Sequence, residues 1–327
     1  MTLLFHNTTF DKIDVWKKTI KKYFKNEKII SLKDYKNFHD VNCAIIWNLP
    51  DNILSRLKNL QVIFSMGAGV DHILKLKNYN KIIPIIRIKD EEMGERIANY
   101  SLAQILNYQL NFKIFQNSQI KQYWSGERTP IDNKNLTVGI LGLGFLGNHI
   151  AKLLNKLNYN VIAYKKNRAK VKNVKIYTGK NIISFIKSSD VVISILPSTS
   201  QTNNIIDKKF LKNMKKNSCL INIGRGNAIE EKDLLNHLKK NKNFYAYLDV
   251  FKDEPLKSSS QFWKLPNVTI TPHVAGVTAI EPSVKYMYSK YKKLRKNKNV
   301  KSDVNPCLLY TSPSPRDRLL SRMPSSA

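Results

Sequence analysis

Short apolar blocks alternate with lysine-rich, amphipathic stretches over the first part of the chain. Leu3–Phe5, Ala44–Trp47, Val62–Met66 and Ile83–Ile88 read as strands, with helix-like pieces around Trp16–Phe24 and Ile53–Leu60 between them. This alternation predicts a small parallel α/β domain, because parallel strands need crossovers and helices supply them. Glu95–Leu110 then sets Ile97, Leu102, Ile105 and Leu106 near helical spacing without Gly or Pro, which predicts a helix leading into a second domain. Strand-like blocks return there at Thr137–Leu141, Val161–Tyr164, Asp190–Pro197, Leu220–Ile223, Tyr247–Phe251 and Val268–Thr271.

The stretch Thr137–Ala151, TVGILGLGFLGNHIA, organises this second region. Val138, Ile140 and Leu141 suit a buried parallel strand, and Leu146, Ile150, Leu153, Leu154 and Leu157 suit a helix packed on a sheet. Gly142, Gly144 and Gly147 mark the turn between them. In a dinucleotide site the first allows the tight turn, the second lets backbone approach a pyrophosphate, and the third lets helix and strand pack closely. An NAD site would place an acid about 20 residues later to accept from the ribose 2′-hydroxyl. Here the second strand runs instead into Tyr164-Lys165-Lys166-Asn167-Arg168. Lys166 and Arg168 offer cations to a 2′-phosphate, so NADPH is the expected cofactor, with NADH the alternative.

Arg225, Glu254 and His273 each follow one of three successive strands. Parallel strands would bring all three to one sheet edge, the edge where the cofactor lies. Hydride transfer to a ketone leaves negative charge on oxygen, which needs a proton donor and a nearby cation. His273 can donate the proton, Glu254 can hold and charge the imidazole, and Arg225 can anchor a carboxylate and polarise the ketone. In the first domain, Trp47 and the turn Met66-Gly67-Ala68-Gly69 lie at strand ends. That turn is either an anion-binding nest or a plain strand-to-helix turn.

Length, composition and charge set outer bounds on this protein. The 327 residues allow two domains, and 42% hydrophobic residues with no apolar run near bilayer length and no secretory signal point to a cytoplasmic protein. Cys43, Cys219 and Cys307 have no metal-ligand spacing and no paired framework, so no metal is expected. The formal net charge of +31 comes mostly from Lys spread along the chain together with abundant Asn and Ile, the mark of a genome rich in A and T. It favours anionic small ligands and argues for neither nucleic acid nor membrane as the main partner. Residues 307–327, CLLYTSPSPRDRLLSRMPSSA, lack apolar periodicity and read as a translated sequencing-library adapter, so they are set aside from the fold.

The series GAGVDHIL (67–74), MGERIANYSLAQIL (93–106), VGILGLGFLG (138–147), NIGRG (222–226), LDVFKDEPL (248–256) and TPHVAG (271–276) resembles the D-isomer-specific 2-hydroxyacid dehydrogenases, and most closely their bacterial A-type glyoxylate/hydroxypyruvate reductases. The resemblance implies an α/β protein of two Rossmann-like domains with parallel sheets and a cleft between them. A flavodoxin-like substrate domain would be built from residues 1–98 and 282–306, and a dinucleotide-binding domain from 99–281. It implies Arg225, Glu254 and His273 as catalytic residues, and Trp47, Met66, Gly67, Ala68, Gly69 and Arg87 as substrate-binding ones. The implied cofactor set is Gly142, Gly144, Phe145, Leu146, Gly147, Tyr164, Lys165, Lys166 and Arg168, with Leu196, Pro197, Thr202, Ile223, Gly224, Asp249, Ala275 and Gly276.

Homodimers are usual in the family, and the exposed aromatics of Tyr123–Trp124 either join that contact or pack within their loop. Glu254, where a formate dehydrogenase would carry Gln, argues against that branch. The expected activity is NADPH-dependent reduction of a small 2-keto acid, glyoxylate to glycolate or hydroxypyruvate to D-glycerate. The competing reading is a nucleotide-sensing, corepressor-like binding protein on the same fold.

Overall fold

The computed structural model describes residues 1–8, 12–33, 37–126, 129–167, 170–296 and 300–304. The adapter-like segment and Arg168 lie outside the described residues. Two compact units emerge. One comprises Met1–Asp90, Thr199–Gln201 and the residues from Thr278 onward, and the other Glu91–Ser198 and Thr202–Val277. The first junction precedes 98/99 because Glu91–Gln109 is one unbroken helix packed on the helix Phe145–Lys156, which keeps its whole length with the second unit, and the last falls at 277/278, just ahead of the helix Ile280–Arg295.

The first unit is a five-stranded parallel sheet. Its strands are β1 (Thr2–Asn7), β2 (Lys28–Ile30), β3 (Val41–Trp47), β4 (Val62–Ser65) and β5 (Ile85–Ile86), in the order β2-β1-β3-β4-β5. Cys43 to Ile46 of β3 pair with Val62 to Ser65 of β4, and both strands are nearly fully buried, as a sheet covered on both faces requires. Trp16 and Ile20 are the buried residues of the helix Ile13–Tyr23. A cluster around Leu4, Ile46, Ile63 and Ile73 forms one core, which Val304 joins from the C-terminal segment. That segment is tied to β5, where the Asp303 N–H donates to the Ile85 carbonyl at 2.9 Å and Lys89 pairs with the Asp303 carboxylate.

The second unit carries β6 (Thr137–Leu141), β7 (Asn160–Tyr164), β8 (Lys175–Tyr177), β9 (Val191–Ser194), β10 (Cys219–Asn222), β11 (Tyr245–Leu248) and β12 (Val268–Ile270). Their order is β12-β11-β10-β9-β6-β7-β8, all parallel. The chain leaves β6 toward β7 and β8, then returns to build the other half from β9. The crossover direction therefore reverses between β6 and β9, and a crevice opens at the carboxyl ends of such a pair. Phe185, Phe210, Phe244 and Phe262 fill the core on this sheet. Among the described residues no helix is long and apolar enough to cross a membrane.

Candidate active site

At the reversal point, Gly142 follows β6 with φ 111°, a conformation that L side chains rarely adopt, and its N–H donates to the Tyr164 carbonyl at 3.1 Å. Gly144 is the residue before the helix Phe145–Lys156, and a Cβ added there would meet nothing within 4 Å. A Cβ at Gly147 would sit 2.3 Å from the Gly142 carbonyl oxygen, so only glycine lets the helix start this close to the strand. The first N–H groups of that helix lack intrahelical partners and carry the positive end of its dipole. Open space over Gly144 beside these donors suits a pyrophosphate, and the dinucleotide fits the residues present.

Tyr164 ends β7, and its hydroxyl donates to the Gly179 carbonyl at 2.8 Å. Lys165 is half-buried and Lys166 exposed immediately beyond it. Leu196 and Pro197 follow β9, where the Thr202 hydroxyl donates to the Pro197 carbonyl at 2.6 Å. Ile223 and Gly224 follow β10, and Ala275 and Gly276 follow β12. All of these lie at the carboxyl edge of the same sheet.

Arg225, Glu254 and His273 follow the three neighbouring strands β10, β11 and β12. His273 Nδ1 lies 2.7 Å from Glu254 Oε2, and the Phe251 N–H donates to Oε1 of the same carboxylate at 2.9 Å. Burial pushes the Glu254 carboxyl up, but the bonds from His273 and Phe251 and the charges of His273 and Arg225 outweigh it and hold the group below its ordinary value of 4.5. An ionised carboxylate only accepts, so His273 Nδ1 carries the proton toward Glu254 and Nε2 is left to exchange one. The Arg225 guanidinium donates to the Gly224 carbonyl at 3.0 Å.

The loop bearing His273 is held by residues whose part was not legible. His273 has φ 56°, and its N–H points at the carbonyls of Asp249 (2.8 Å) and Thr271 (3.1 Å). Buried Asp249 accepts from the Thr271 hydroxyl (2.6 Å) and the Val274 N–H (2.8 Å) on Oδ1, and from the Ala275 N–H (3.0 Å) on Oδ2. Tyr100, 171 residues away in sequence, shares a 2.6 Å hydrogen bond with Thr271. Asp249 thus spends both carboxylate oxygens on fixing the 271–275 loop.

A Cβ at Gly226 would fall 1.8 Å from the Phe251 carbonyl carbon. Gly226→Ala is therefore expected to displace the 251–252 backbone that holds Glu254, lowering the thermal midpoint by several degrees and turnover at least tenfold. Unfolding and steady-state rates measured on the same preparation check both effects.

On the first unit, Trp47 ends β3, Met66–Gly69 follows β4 and Arg87 follows β5. Among the described residues the N–H groups of Ala68 and Gly69 make no hydrogen bond. Arg87 Nε is likewise buried without a partner there. Unspent donors on a turn are what an incoming carboxylate would use.

Residues 102–275 match the family model for the D-isomer specific 2-hydroxyacid dehydrogenase NAD binding domain. Glyoxylate/hydroxypyruvate reductase A of Enterobacter sp. (strain 638) is 31% identical over 316 residues, covering 95% of this chain and 100% of the relative. The NADPH-dependent glyoxylate/hydroxypyruvate reductase of Sinorhizobium meliloti, solved with NADP and sulfate, superposes with a TM-score of 0.87 at 26% identity over 95% of this chain and 100% of that one. A probable 2-hydroxyacid dehydrogenase from Rhizobium etli CFN 42, solved with NADP, HEPES and L(+)-tartaric acid, gives 0.87 at 26% identity over 94% and 99%. The chain belongs to the D-isomer-specific 2-hydroxyacid dehydrogenase family of NAD(P)-dependent oxidoreductases.

Proposed function

We propose that this protein is an NADPH-dependent reductase of small 2-keto acids, converting glyoxylate to glycolate and hydroxypyruvate to D-glycerate. The observation that carries the reading is the 2.7 Å His273–Glu254 pair beside Arg225 on adjoining strand ends of the nucleotide-binding sheet. The cofactor, when bound, supplies the hydride that reduces the keto carbon and is itself oxidised to NADP⁺. As that carbon–oxygen π bond opens, its electron pair moves onto oxygen. His273 Nε2 delivers a proton there, so the 2-hydroxy acid leaves and the ring is reprotonated from solvent. Glu254 stabilises the charged ring before transfer and keeps it oriented. Arg225 pairs with the carboxylate and the developing oxyanion. On the first unit, the unspent N–H groups of Ala68 and Gly69 suit a substrate carboxylate, with Trp47 and Arg87 at the neighbouring strand ends.

The choice of NADPH is supported by the missing acid after β7, by Lys166 and Arg168 in its place in the sequence, and by the NADP held by the Sinorhizobium meliloti and Rhizobium etli structures. Replacing Lys166 and Arg168 together with Ala is expected to raise the KM for NADPH about tenfold or more while changing that for NADH little. Equal losses with both cofactors would remove the phosphate assignment.

The protein is further proposed to be a cytoplasmic homodimer through the nucleotide-binding unit. The helix Phe112–Ile120 buries none of its residues, and Phe112, Ile120, Tyr123 and Trp124 stand exposed along it and just beyond. Light scattering reading a monomer's mass would refute the dimer.

The reading is tested by following oxidation of NADPH, and separately NADH, with glyoxylate, hydroxypyruvate, pyruvate and phenylpyruvate. Faster NADPH oxidation with the two small acids is the expected result. Silence with every acid despite bound cofactor would turn the assignment to nucleotide sensing.

A further inference from the structure

We propose that Ser65 and His72 form a positioning pair that locks Trp47 and the 66–69 turn into one rigid seat for the substrate carboxylate. The proposal rests on the assignment of that turn to substrate binding. Ser65 ends β4 with no exposed surface, and its hydroxyl donates to the Gly69 carbonyl at 2.8 Å. The same oxygen receives the Gly67 N–H at 3.4 Å and faces His72 Nε2 at 3.2 Å. A hydroxyl has one proton, and Ser65 has committed it to a carbonyl that can only accept. His72 Nε2 must therefore be the donor.

The other ring nitrogen gives the same answer independently. The Asn48 N–H points at His72 Nδ1 at 3.3 Å, and a backbone N–H can only donate, so Nδ1 carries no proton. Two separate partners thus select the neutral, Nε2-protonated ring. This arrangement also excludes a Ser–His nucleophile, which would need the serine proton aimed at the imidazole.

The His72 ring lies against Trp47, with ring centroids 4.1 Å apart at 45°. Trp47 in turn covers Gly67 so closely that a Cβ there would sit 2.8 Å from the indole. The turn, the indole and the residue after β3 are therefore tied through one imidazole and one hydroxyl. Because Gly67 spends its N–H on Ser65, the unspent donors of Ala68 and Gly69 are the ones whose direction the pair fixes. Fixing them before substrate arrives removes an ordering cost from binding and leaves proton transfer at His273 untouched. The pair should consequently govern KM for the keto acid and leave kcat alone.

The test is steady-state kinetics on Ser65→Ala, His72→Phe and His72→Gln with glyoxylate and NADPH, together with long-range proton–nitrogen NMR of the His72 ring in the unaltered protein. Ser65→Ala and His72→Phe are expected to raise KM for glyoxylate about tenfold, with kcat within about twofold and NADPH affinity unchanged. His72→Gln, whose amide can still donate to Ser65, should recover most of that loss. The NMR pattern should be that of the Nε2-protonated ring. Unchanged KM in all three variants, kcat falling in step with the KM rise, no recovery by Gln, or an Nδ1-protonated ring would each overturn the pair. The ring measurement needs neither turnover nor a folded variant. Absence of wild-type turnover on any keto acid would instead defeat the reductase assignment.

Discussion

His273→Asn is expected to lower kcat for keto-acid reduction about 10³-fold while leaving NADPH affinity within about twofold. Asn is the informative replacement because it tolerates the left-handed backbone found at φ 56°, whereas Ala would add roughly 1 kcal/mol of strain and blur the result. The Asn amide can still donate to Glu254, so the loop stays tethered while the proton donor is gone. A kcat near wild type would end the acid assignment. Glu254→Gln supplies the companion measurement. The Gln oxygen still accepts from Nδ1, so the ring stays oriented, but the full negative charge facing it is lost. Proton delivery from that ring loses its charged partner, and kcat should therefore fall about tenfold or more with NADPH affinity unchanged. In the wild type, Glu254 lies below its ordinary 4.5 and stays ionised across the neutral range, so its own protonation appears only as pH falls through that lowered value.

Much of this site was legible because its chemistry sits at the ends of apolar blocks. Arg225, Glu254 and His273 each follow a run of β-branched and aromatic residues, and strand periodicity alone brings such positions to one edge of a parallel sheet. The short edge strands β2 and β8 did not register as strands. They are three residues each, and their lysines suit solvent-facing edges rather than a buried pattern. The devices that hold the catalytic loop were hidden for another reason. Tyr100 reaches Thr271 across most of the nucleotide-binding unit, and nothing in local spacing couples a helix residue to a loop that far away. Asp249 was expected among the cofactor contacts from its motif, yet its burial and its three donors become visible only when the 271–275 loop folds over it. His72 stands within the GAGVDHIL motif, but its tautomer depends on Asn48 just after β3 and Ser65 at the end of β4.

Arg225→Met is expected to reduce kcat/KM for glyoxylate about 10³-fold, some 4 kcal/mol of transition-state stabilisation. A flexible apolar chain fills similar volume, so the loss reports the charge and the forked donors rather than a cavity. Arg225→Lys keeps a point charge without the fork and should recover part of the loss, about tenfold, because a carboxylate and a ketone oxygen need two diverging donors at once. Guanidinium added to Arg225→Ala should restore turnover in a saturable way, whereas equal recovery by sodium chloride would reduce the effect to ionic strength. The Arg225 charge also helps keep Glu254 ionised, so its removal should raise the pH at which the acid limb sets in. The double variant Arg225→Met/His273→Asn decides whether the two side chains meet at one atom. If both act on the oxyanion of a single transition state, its loss falls well short of the product of the single losses, since either deletion already disables the same step. Fully multiplicative losses would place Arg225 on the carboxylate alone and leave His273 as the sole group acting on the ketone oxygen.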